Sequence, residues 1–122
     1  MVKMEKEKIT FGCNIFSNKK VLSCSFGLTK SELELLKTVI ENKKGISVKE
    51  ISSFLDKGRT TIQKTIKSLL DKKLIKRKQV NLKKGFAYIY YPLNKEDYIK
   101  IFDKKLKKIK NNIHKEINNW YS

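Results

Sequence analysis

Six side chains with the chemistry to read duplex DNA lie within nine consecutive residues: Arg59, Thr60, Thr61, Gln63, Lys64 and Lys67. An arginine can donate two hydrogen bonds to guanine, a glutamine can pair with adenine, and a threonine methyl group can contact the methyl group of thymine. Lysine side chains suit the phosphate oxygens beside those bases. The group is therefore a candidate DNA-reading surface. The alternative that stays open on these residues alone is a solvated helix face.

Basic residues are concentrated around this group. The chain carries 29 Lys and Arg against 12 Asp and Glu, a net charge of +17. Residues 57–84 hold eleven basic residues and one acid, whereas residues 31–56 hold four basic residues and five acids. A genome rich in A and T explains a high lysine content but not this abrupt change along the chain. The pattern predicts a binding face for a polyanion, and nucleic acid is the default partner.

Residues with catalytic or metal-binding chemistry are scattered. The single histidine, His114, lies among lysines and asparagines, and two cysteines with one distant histidine do not match a zinc site. No phosphate-binding loop or nucleophile motif occurs. We therefore expect a protein that is not an enzyme and that uses neither a metal nor a cofactor.

The sequence also bears on the compartment. It has no apolar run long enough to span a bilayer. Residues 1–8 carry charges of both signs and lack the apolar segment of a signal peptide. These features predict a cytoplasmic protein that is not a membrane protein.

Capping signals place the DNA-reading group on the third of three helices. Thr-x-x-Glu at residues 29–32 and Ser-x-x-Glu at residues 47–50 are capping boxes, each of which begins a helix. We expect the first helix to end at Gly45 and the second, short one to end near Asp56. Gly58 can cap the third helix. Two helices joined by so few residues predict a helix-turn-helix.

Apolar spacing assigns the buried faces of the second and third helices. The second is expected to bury Ile51, Phe54 and Leu55. The third carries an apolar stripe at residues 62, 66, 69 and 70, with the DNA-reading group on its opposite side. A buried stripe of this kind would hold the polar face outward.

A β-hairpin is predicted directly after the third helix. Residues 74–80 and 86–91 have the composition of strands, and Lys83 and Lys84 lie in the glycine-containing turn between them. Such a hairpin is a wing, whose lysine tip suits a minor groove or the DNA backbone. Arg77 is a further candidate contact, although alternation aims it and Lys78 at opposite faces. The tyrosines of the second strand leave open an RNA-stacking role or simple packing against the core.

The C-terminal segment predicts a long helix that begins after Asn94. Its apolar residues recur at spacings of three and four, as in a coiled-coil seam, except that Glu116, beside Ile117, breaks one position: Ile99, Phe102, Leu106, Ile109, Ile113 and Trp120. A three-helix body is too small to bury a helix of about 25 residues, roughly 37 Å long. Pairing with a second copy is the leading interpretation. Folding back on the same chain and lying on a membrane surface are the alternatives.

The N-terminal segment, residues 1–27, alternates in polarity like a hairpin of strands at residues 9–15 and 22–26. A four-residue turn at residues 17–20 would place Cys13 opposite Cys24, with Cα atoms roughly 4.5–5.5 Å apart and within reach of a disulfide. A reversible redox bond is one hypothesis. Two buried thiols, or a short helix that separates the cysteines, are the others.

Three stretches carry a family resemblance: GLTKSELELLKTVIENKKGISVKEI, GRTTIQKTIKSLLDKKLIKRK and NLKKGFAYIYY, followed by a long terminal helix. Together they resemble archaeal winged-helix regulators of the TrmB-like and MarR-like kind. The resemblance implies that residues 59, 60, 61, 63 and 64 face the DNA groove, that a strand near "GIS" pairs with the wing, and that terminal helices build a dimer. The sugar-binding domain of full-length TrmB proteins has no counterpart here, so no effector is assigned.

We therefore predict a mainly α fold with a small β-wing, a winged helix-turn-helix plus a long C-terminal dimerisation helix. Residues 1–27 form the N-terminal segment, 28–93 the DNA-binding domain and 94–122 the dimerisation helix. The predicted function is that of a homodimeric transcription regulator that binds specific sites in double-stranded DNA. An architectural DNA-coating protein and an RNA-binding or protein-interaction module are the alternatives.

Overall fold

The computed structural model describes residues 8–11 and 14–122, with side chains from residue 17 onward. The elements are β1 (Lys8–Phe11), β2 (Asn14–Ser17), α1 (Asn18–Phe26), α2 (Lys30–Glu41), α3 (Val48–Leu55), α4 (Arg59–Asp71), β3 (Ile75–Asn81), β4 (Phe86–Pro92) and α5 (Lys95–Tyr121). They form two compact units. One is Thr29–Tyr98, and the other consists of the chain up to Leu28 together with Ile99–Ser122. The predicted fold class, a winged helix-turn-helix followed by a long helix, is confirmed.

The unit Thr29–Tyr98 is built around one apolar core. Helices α2, α3 and α4 pack on one another, and α2 also contacts β4. Their buried apolar side chains are Leu35, Leu36, Val39, Ile46, Ile51, Ile62, Ile66, Leu69, Leu74, Ile75 and Tyr90. Since α4 contributes three of these residues, its orientation is set by the core.

The two predicted capping boxes are both present. Thr29 and Ser47 each accept a hydrogen bond from the third helical N–H group, and Glu32 and Glu50 each accept one from the backbone N–H of the capping residue. The expected end of α2 is wrong, because the helix stops at Glu41 rather than at Gly45. Asn42 terminates it locally, since its side-chain amide donates to the carbonyl of Thr38 at 2.8 Å.

Helix α3 differs from the prediction in its buried face. Ile51 is fully buried, but Phe54 is 65% exposed. The helix has only eight residues, and the edge that it turns toward α2 and α4 is the one that carries Ile51. The expectation that Phe54 belongs to the core is therefore wrong.

The wing is an antiparallel hairpin of β3 and β4, joined by one isolated bridge to the segment before α3. Ile75 pairs with Pro92 at one end and Asn81 with Phe86 at the other. Ile46 adds a two-hydrogen-bond bridge to Tyr90, with N–O distances of 3.0 and 2.9 Å. The expected pairing of the "GIS" segment with the wing is thus present as a single bridge rather than as a strand. Gly45 has φ +114°, and a Cβ there would lie 2.5 Å from Cγ2 of Ile89, so only glycine fits under the wing.

The N-terminal hairpin is not the predicted one. Strands β1 and β2 pair Lys8 with Ser17 and Phe11 with Asn14, and residues 22–26, expected as a strand, are helical. Ser17 caps α1 by accepting from the N–H of Lys20, and Gly27 ends it in the left-handed conformation at φ 68°. These caps outweigh the alternating polarity. Cys24 is exposed on this helix and unbonded, whereas Cys13 lies outside the described residues.

Helix α5 begins where the wing ends. Asn94 accepts hydrogen bonds from the N–H groups of Asp97 and Tyr98. The Tyr98 hydroxyl donates to the carbonyl of Leu74 at 2.7 Å and accepts from the N–H of Leu93 at 3.0 Å. The first turn of α5 is therefore hydrogen-bonded to the residue before β3 and to the residue after β4, at the base of the wing. Of the helices in the described part of the chain, none is long and apolar enough to cross a membrane.

Candidate nucleic-acid interface

Helix α4 presents the predicted DNA-reading group to solvent. Ile62, Ile66 and Leu69 face the core and are buried. The six predicted residues are all exposed: Arg59, Thr60, Thr61, Gln63, Lys64 and Lys67. An α-helix rotates 100° per residue, so a stripe at spacings of four and three leaves the opposite half free. The structure thus leaves all six side chains accessible, with Thr60, Lys64 and Lys67 on the side opposite the buried stripe.

The turn before α4 is held by local hydrogen bonds. Asp56 ends α3 in the left-handed conformation at φ 52°, and the N–H of Lys57 donates to the carbonyl of Ser52 at 3.2 Å. The Ser52 hydroxyl in turn donates to the carbonyl of Lys57. Gly58 then begins α4 with no side-chain cap. These contacts set the direction in which Arg59 and the first turn of α4 leave the core.

A part-buried charge cluster centred on Glu32 joins α4 to α2. Glu32 is only 6% exposed. It accepts hydrogen bonds from the Ser68 hydroxyl and from Nζ of Lys72, the latter at 2.9 and 3.0 Å. Burial raises the pKa of Glu32, but the hydrogen bonds from Ser68, the Thr29 backbone and Lys72 outweigh it and hold the pKa at about 2. Glu32 therefore stays ionised and ties the C-terminal half of α4 to α2.

Arg77 lies along the wing rather than at its tip. Its guanidinium carbon is 4.2 Å from the centroid of the Tyr88 ring, a cation–π contact. Arg77 also pairs directly with Tyr90 in the sheet. Burial raises the pKa of Tyr90, and the nearby Arg77 charge opposes that shift. Arg77 is exposed, so its charge lies on the surface at a position set by the two tyrosines.

The strand tyrosines do not form a platform for stacked bases. Tyr90 is 5% exposed, one face of Tyr88 is covered by Arg77, and the ring of Tyr91 lies over Gly45. Their contacts are internal to the wing and its junction with α3. Packing, rather than base stacking, accounts for these three side chains.

The wing tip carries charge and apolar surface together. Lys83 and Lys84 are exposed, as predicted. The N–H of Leu82 donates to the carbonyl of Gly85 at 3.0 Å, and Gly85 has φ +87°. Leu82 and Phe86 are each 55% exposed. The sequence prediction singled out the lysines and did not include these two apolar residues.

Helix α5 leaves its predicted seam largely uncovered. Of the six seam residues, Phe102 is partly buried, and the other five are 49% exposed or more: Ile99, Leu106, Ile109, Ile113 and Trp120. Ile117, which the strict pattern skipped, is 42% exposed on the same side. Near the end of the helix, Nε1 of Trp120 donates to the Glu116 carboxylate at 2.8 Å.

Comparison with known proteins identifies the family. The model of the penicillinase repressor family matches residues 28–119, three quarters of the chain. The chain belongs to the penicillinase repressor family. The match covers both the helix-turn-helix with its wing and most of α5.

This member of the penicillinase repressor family has relatives in archaea. The uncharacterized protein MJ1082 of Methanocaldococcus jannaschii is 35% identical over 70% of each chain. A solved structure from Methanosarcina mazei, titled a "possible transcriptional regulator", is 27% identical, covers 95% of this chain and 98% of that one, and has a TM-score of 0.86. The resemblance to archaeal winged-helix regulators is therefore confirmed.

MarR proteins share the fold. A MarR protein from Peptoclostridium difficile has a TM-score of 0.55 at 21% identity, over 81% of this chain and 62% of that one. The complex of MepR from S. aureus with DNA has a TM-score of 0.55 at 19% identity, over 82% and 86%. The matching family is one of repressors and the Methanosarcina mazei neighbour is titled a possible transcriptional regulator, so the prediction that this chain is not an enzyme is confirmed.

Sequence reasoning missed two features of this penicillinase repressor family chain. Lys72 was counted with the basic residues around α4, but it pairs with Glu32. That pair spans 40 positions, so no local sequence pattern predicts it.

The exposure of Leu82 and Phe86 could have been predicted from the sequence, because both flank the lysines of a predicted turn and neither lies at a core position.

Proposed function

We propose that this protein is a homodimeric transcription regulator that binds specific sites in double-stranded DNA. The observation that carries the proposal is the exposed face of α4, where groups able to read bases and groups able to bind phosphate share one surface. The core and the Glu32 cluster hold the opposite side of the helix. A rigidly held helix is what specific base recognition requires. We expect it to act in the cytoplasm, on chromosomal DNA.

Base recognition falls to the start of α4. In the helix-turn-helix class, the N-terminal residues of the second helix contact base edges in the major groove. Arg59 and Gln63 are one turn apart and can reach guanine and adenine, with Thr60 and Thr61 beside thymine methyl groups. Lys64 and Lys67 follow along the helix and suit phosphates. The wing lysines, Lys83 and Lys84, reach the minor groove or its backbone.

The comparison with MepR supports this docking mode. MepR from S. aureus is known in complex with DNA and shares the winged-helix fold. In the present chain, residues 57–84 span α4 and the wing tip and carry eleven basic residues against one acid. The charge is therefore concentrated on the two elements that such a fold brings to DNA.

The exposed seam of α5 supports the homodimer. Leu106, Ile109 and Ile113 are each more than half exposed and follow one another at spacings of three and four. Burying such side chains contributes about 1.5–3 kcal/mol each when burial is complete. A second α5 offers the same spacing, so two copies can cover each other's seam. Two recognition helices would then read an inverted repeat with half-sites about 34 Å apart.

The test is selection of bound sequences from a random duplex library. A specific regulator should enrich an inverted repeat and bind it about 10³-fold or more tighter than random DNA. An architectural protein would enrich no motif, and its affinity would be nearly equal for any selected duplex and for random DNA. Preference for duplex RNA or single strands would contradict the proposal. The control is Arg59→Ala plus Gln63→Ala, which should reduce enrichment while retaining binding to random DNA.

A further inference from the structure

The tip of the wing exposes two large apolar side chains. Leu82 and Phe86 are each 55% exposed, and Lys83 and Lys84 lie between them in the chain. Single apolar residues are common on protein surfaces. Here two occur within five residues, at the end of a hairpin that must approach DNA if the proposed function holds. Solubility alone would favour polar residues at such a turn.

The tip has a defined shape. The Leu82-to-Gly85 hydrogen bond closes the turn. The ring of Phe86 packs edge-on against Tyr88, with centroids 5.4 Å apart and planes at 71°, and the ring of Tyr88 also contacts the guanidinium of Arg77. Arg77, Tyr88 and Phe86 therefore form a ladder along one face of the wing. A side chain that is ordered before binding loses less conformational entropy on binding.

We propose that Leu82 and Phe86 enter the DNA minor groove as an apolar wedge, partly unstack one base step and bend the duplex. The proposal rests on the proposed function and adds a specific action of the wing. Minor-groove proteins insert Phe and Leu between base steps, and contacts made by the bent duplex offset the cost of unstacking.

The charge of the wing tip indicates which partner it contacts. The apolar pair brackets Lys83 and Lys84, and a second copy of the same tip would bring four lysines together without an acid on either tip to pair with them. The phosphates that flank a minor groove supply the opposite charge along both edges of the wedge. Duplex DNA therefore fits this surface better than another copy of the chain.

Two double variants separate the wedge from the charge. Leu82→Ser plus Phe86→Ser removes the apolar surface and keeps both lysines. Lys83→Ala plus Lys84→Ala removes the charge and keeps the apolar pair. All four side chains are exposed, so neither variant opens the core. The probe is the duplex enriched from the random library, labelled with dyes at its ends and with 2-aminopurine at successive positions beneath the wing.

With the wild-type protein, 2-aminopurine fluorescence should rise at one step per half-site, and the distance between the dyes should shorten. The Leu82→Ser plus Phe86→Ser variant should lose both signals. It should also bind about tenfold or more weakly, because losing the burial of even one of the two apolar side chains costs that much affinity. Its salt dependence should be unchanged. The lysine variant should keep both signals and bind with a shallower salt dependence.

Three outcomes would overturn the wedge. In the first, the wild type binds the duplex without unstacking or bending it. In the second, the serine variant binds and bends the duplex like the wild type. In the third, the serine variant changes the oligomeric state in sedimentation and leaves DNA binding and bending unchanged. Absence of any duplex binding by the wild type overturns the proposed function, and the wedge with it. Binding without unstacking overturns the wedge alone.

Discussion

At the scale of the residue, the proposed DNA surface contains two kinds of side chain: those suited to specify a sequence and those suited only to bind the backbone. Arg59 and Gln63 have planar groups that match base edges, whereas Lys83 and Lys84 carry point charges. All four are exposed. Their substitution should therefore alter recognition without unfolding the protein.

We expect Lys83→Ala plus Lys84→Ala to reduce the slope of log affinity against log salt by about 1–2, because about one counterion is released per phosphate contact. The ranking of DNA sequences should remain the same. Arg59→Ala should instead cost about 1–3 kcal/mol on the preferred site and relax the preference for one base pair. Fluorescence anisotropy at several salt concentrations measures both effects. Unchanged affinity in both variants would rule out the docking mode.

Gly45 is a second residue whose type is dictated by its surroundings. A Cβ at this position would lie 2.5 Å from Ile89 and 2.8 Å from Tyr91, at φ +114°. We expect Gly45→Ala to lower the free energy of unfolding by about 2–4 kcal/mol, from backbone strain and overpacking together. Gly85→Ala is the matched control, since Gly85 also has a positive φ but nothing within 4 Å of a Cβ.

The control should cost only about 1 kcal/mol, the strain of the left-handed conformation by itself. Denaturant unfolding of the two variants gives the comparison. Equal losses at both glycines would show that close packing of the wing on Gly45 contributes nothing to stability.

At the scale of the element, α4 is positioned by a carboxylate that belongs to α2. Glu32→Gln replaces the carboxylate that accepts from Ser68 and Lys72 with a neutral amide, which has one acceptor oxygen and an NH₂ group that can only donate. We expect Glu32→Gln to destabilise the protein at neutral pH by about 1–3 kcal/mol. Glu41→Gln, at the exposed end of the same helix, should change stability by less than about 0.5 kcal/mol.

The same pair predicts a pH dependence. The pKa of Glu32 is about 2 in the folded protein against 4.5 for an ordinary glutamate, so its contribution is complete above pH 4.5 and is lost as the pH falls toward 2. The difference in unfolding free energy between wild type and Glu32→Gln should shrink over that window. A constant difference down to pH 2 would show that the Glu32 carboxylate is not selectively stabilised in the fold.

At the scale of the whole molecule, the proposed inverted-repeat site needs two copies of α4 and therefore two chains. We expect the wild type to sediment as a dimer at micromolar concentration. Leu106→Glu plus Ile113→Glu should give a monomer, because four carboxylates would enter the paired seam. Asn111→Glu plus Asn118→Glu is the matched control, since these exposed residues lie seven positions apart on the side of α5 opposite the seam and add the same charge.

The control variant should remain dimeric. A wild-type monomer, or a dimer unaffected by the seam variant, would remove the basis for an inverted-repeat site. Sedimentation velocity at two concentrations distinguishes these outcomes.

Local chemistry made much of this protein predictable from its sequence. Both capping boxes, the Gly58 start of α4 and the hairpin turn involve residues within five positions of one another, so their signals are complete in short segments. The exposed face of α4 followed from the spacing of three buried residues. Where local signals competed, as in residues 17–26, alternation predicted a turn followed by a strand at residues 22–26, whereas a serine cap and a glycine cap produced a helix.

Only the tertiary structure decided the long-range partners. Glu32 meets Lys72 across 40 positions, Gly45 lies beneath Ile89, and Phe54 is left outside a core that α3 touches along one edge. Each depends on which faces of separate elements meet, and the free energy of that choice belongs to the packed assembly rather than to any segment. The sequence by itself determined a helix-turn-helix, a wing and a basic face. The packing of α2 and the wing determined how firmly that face is held.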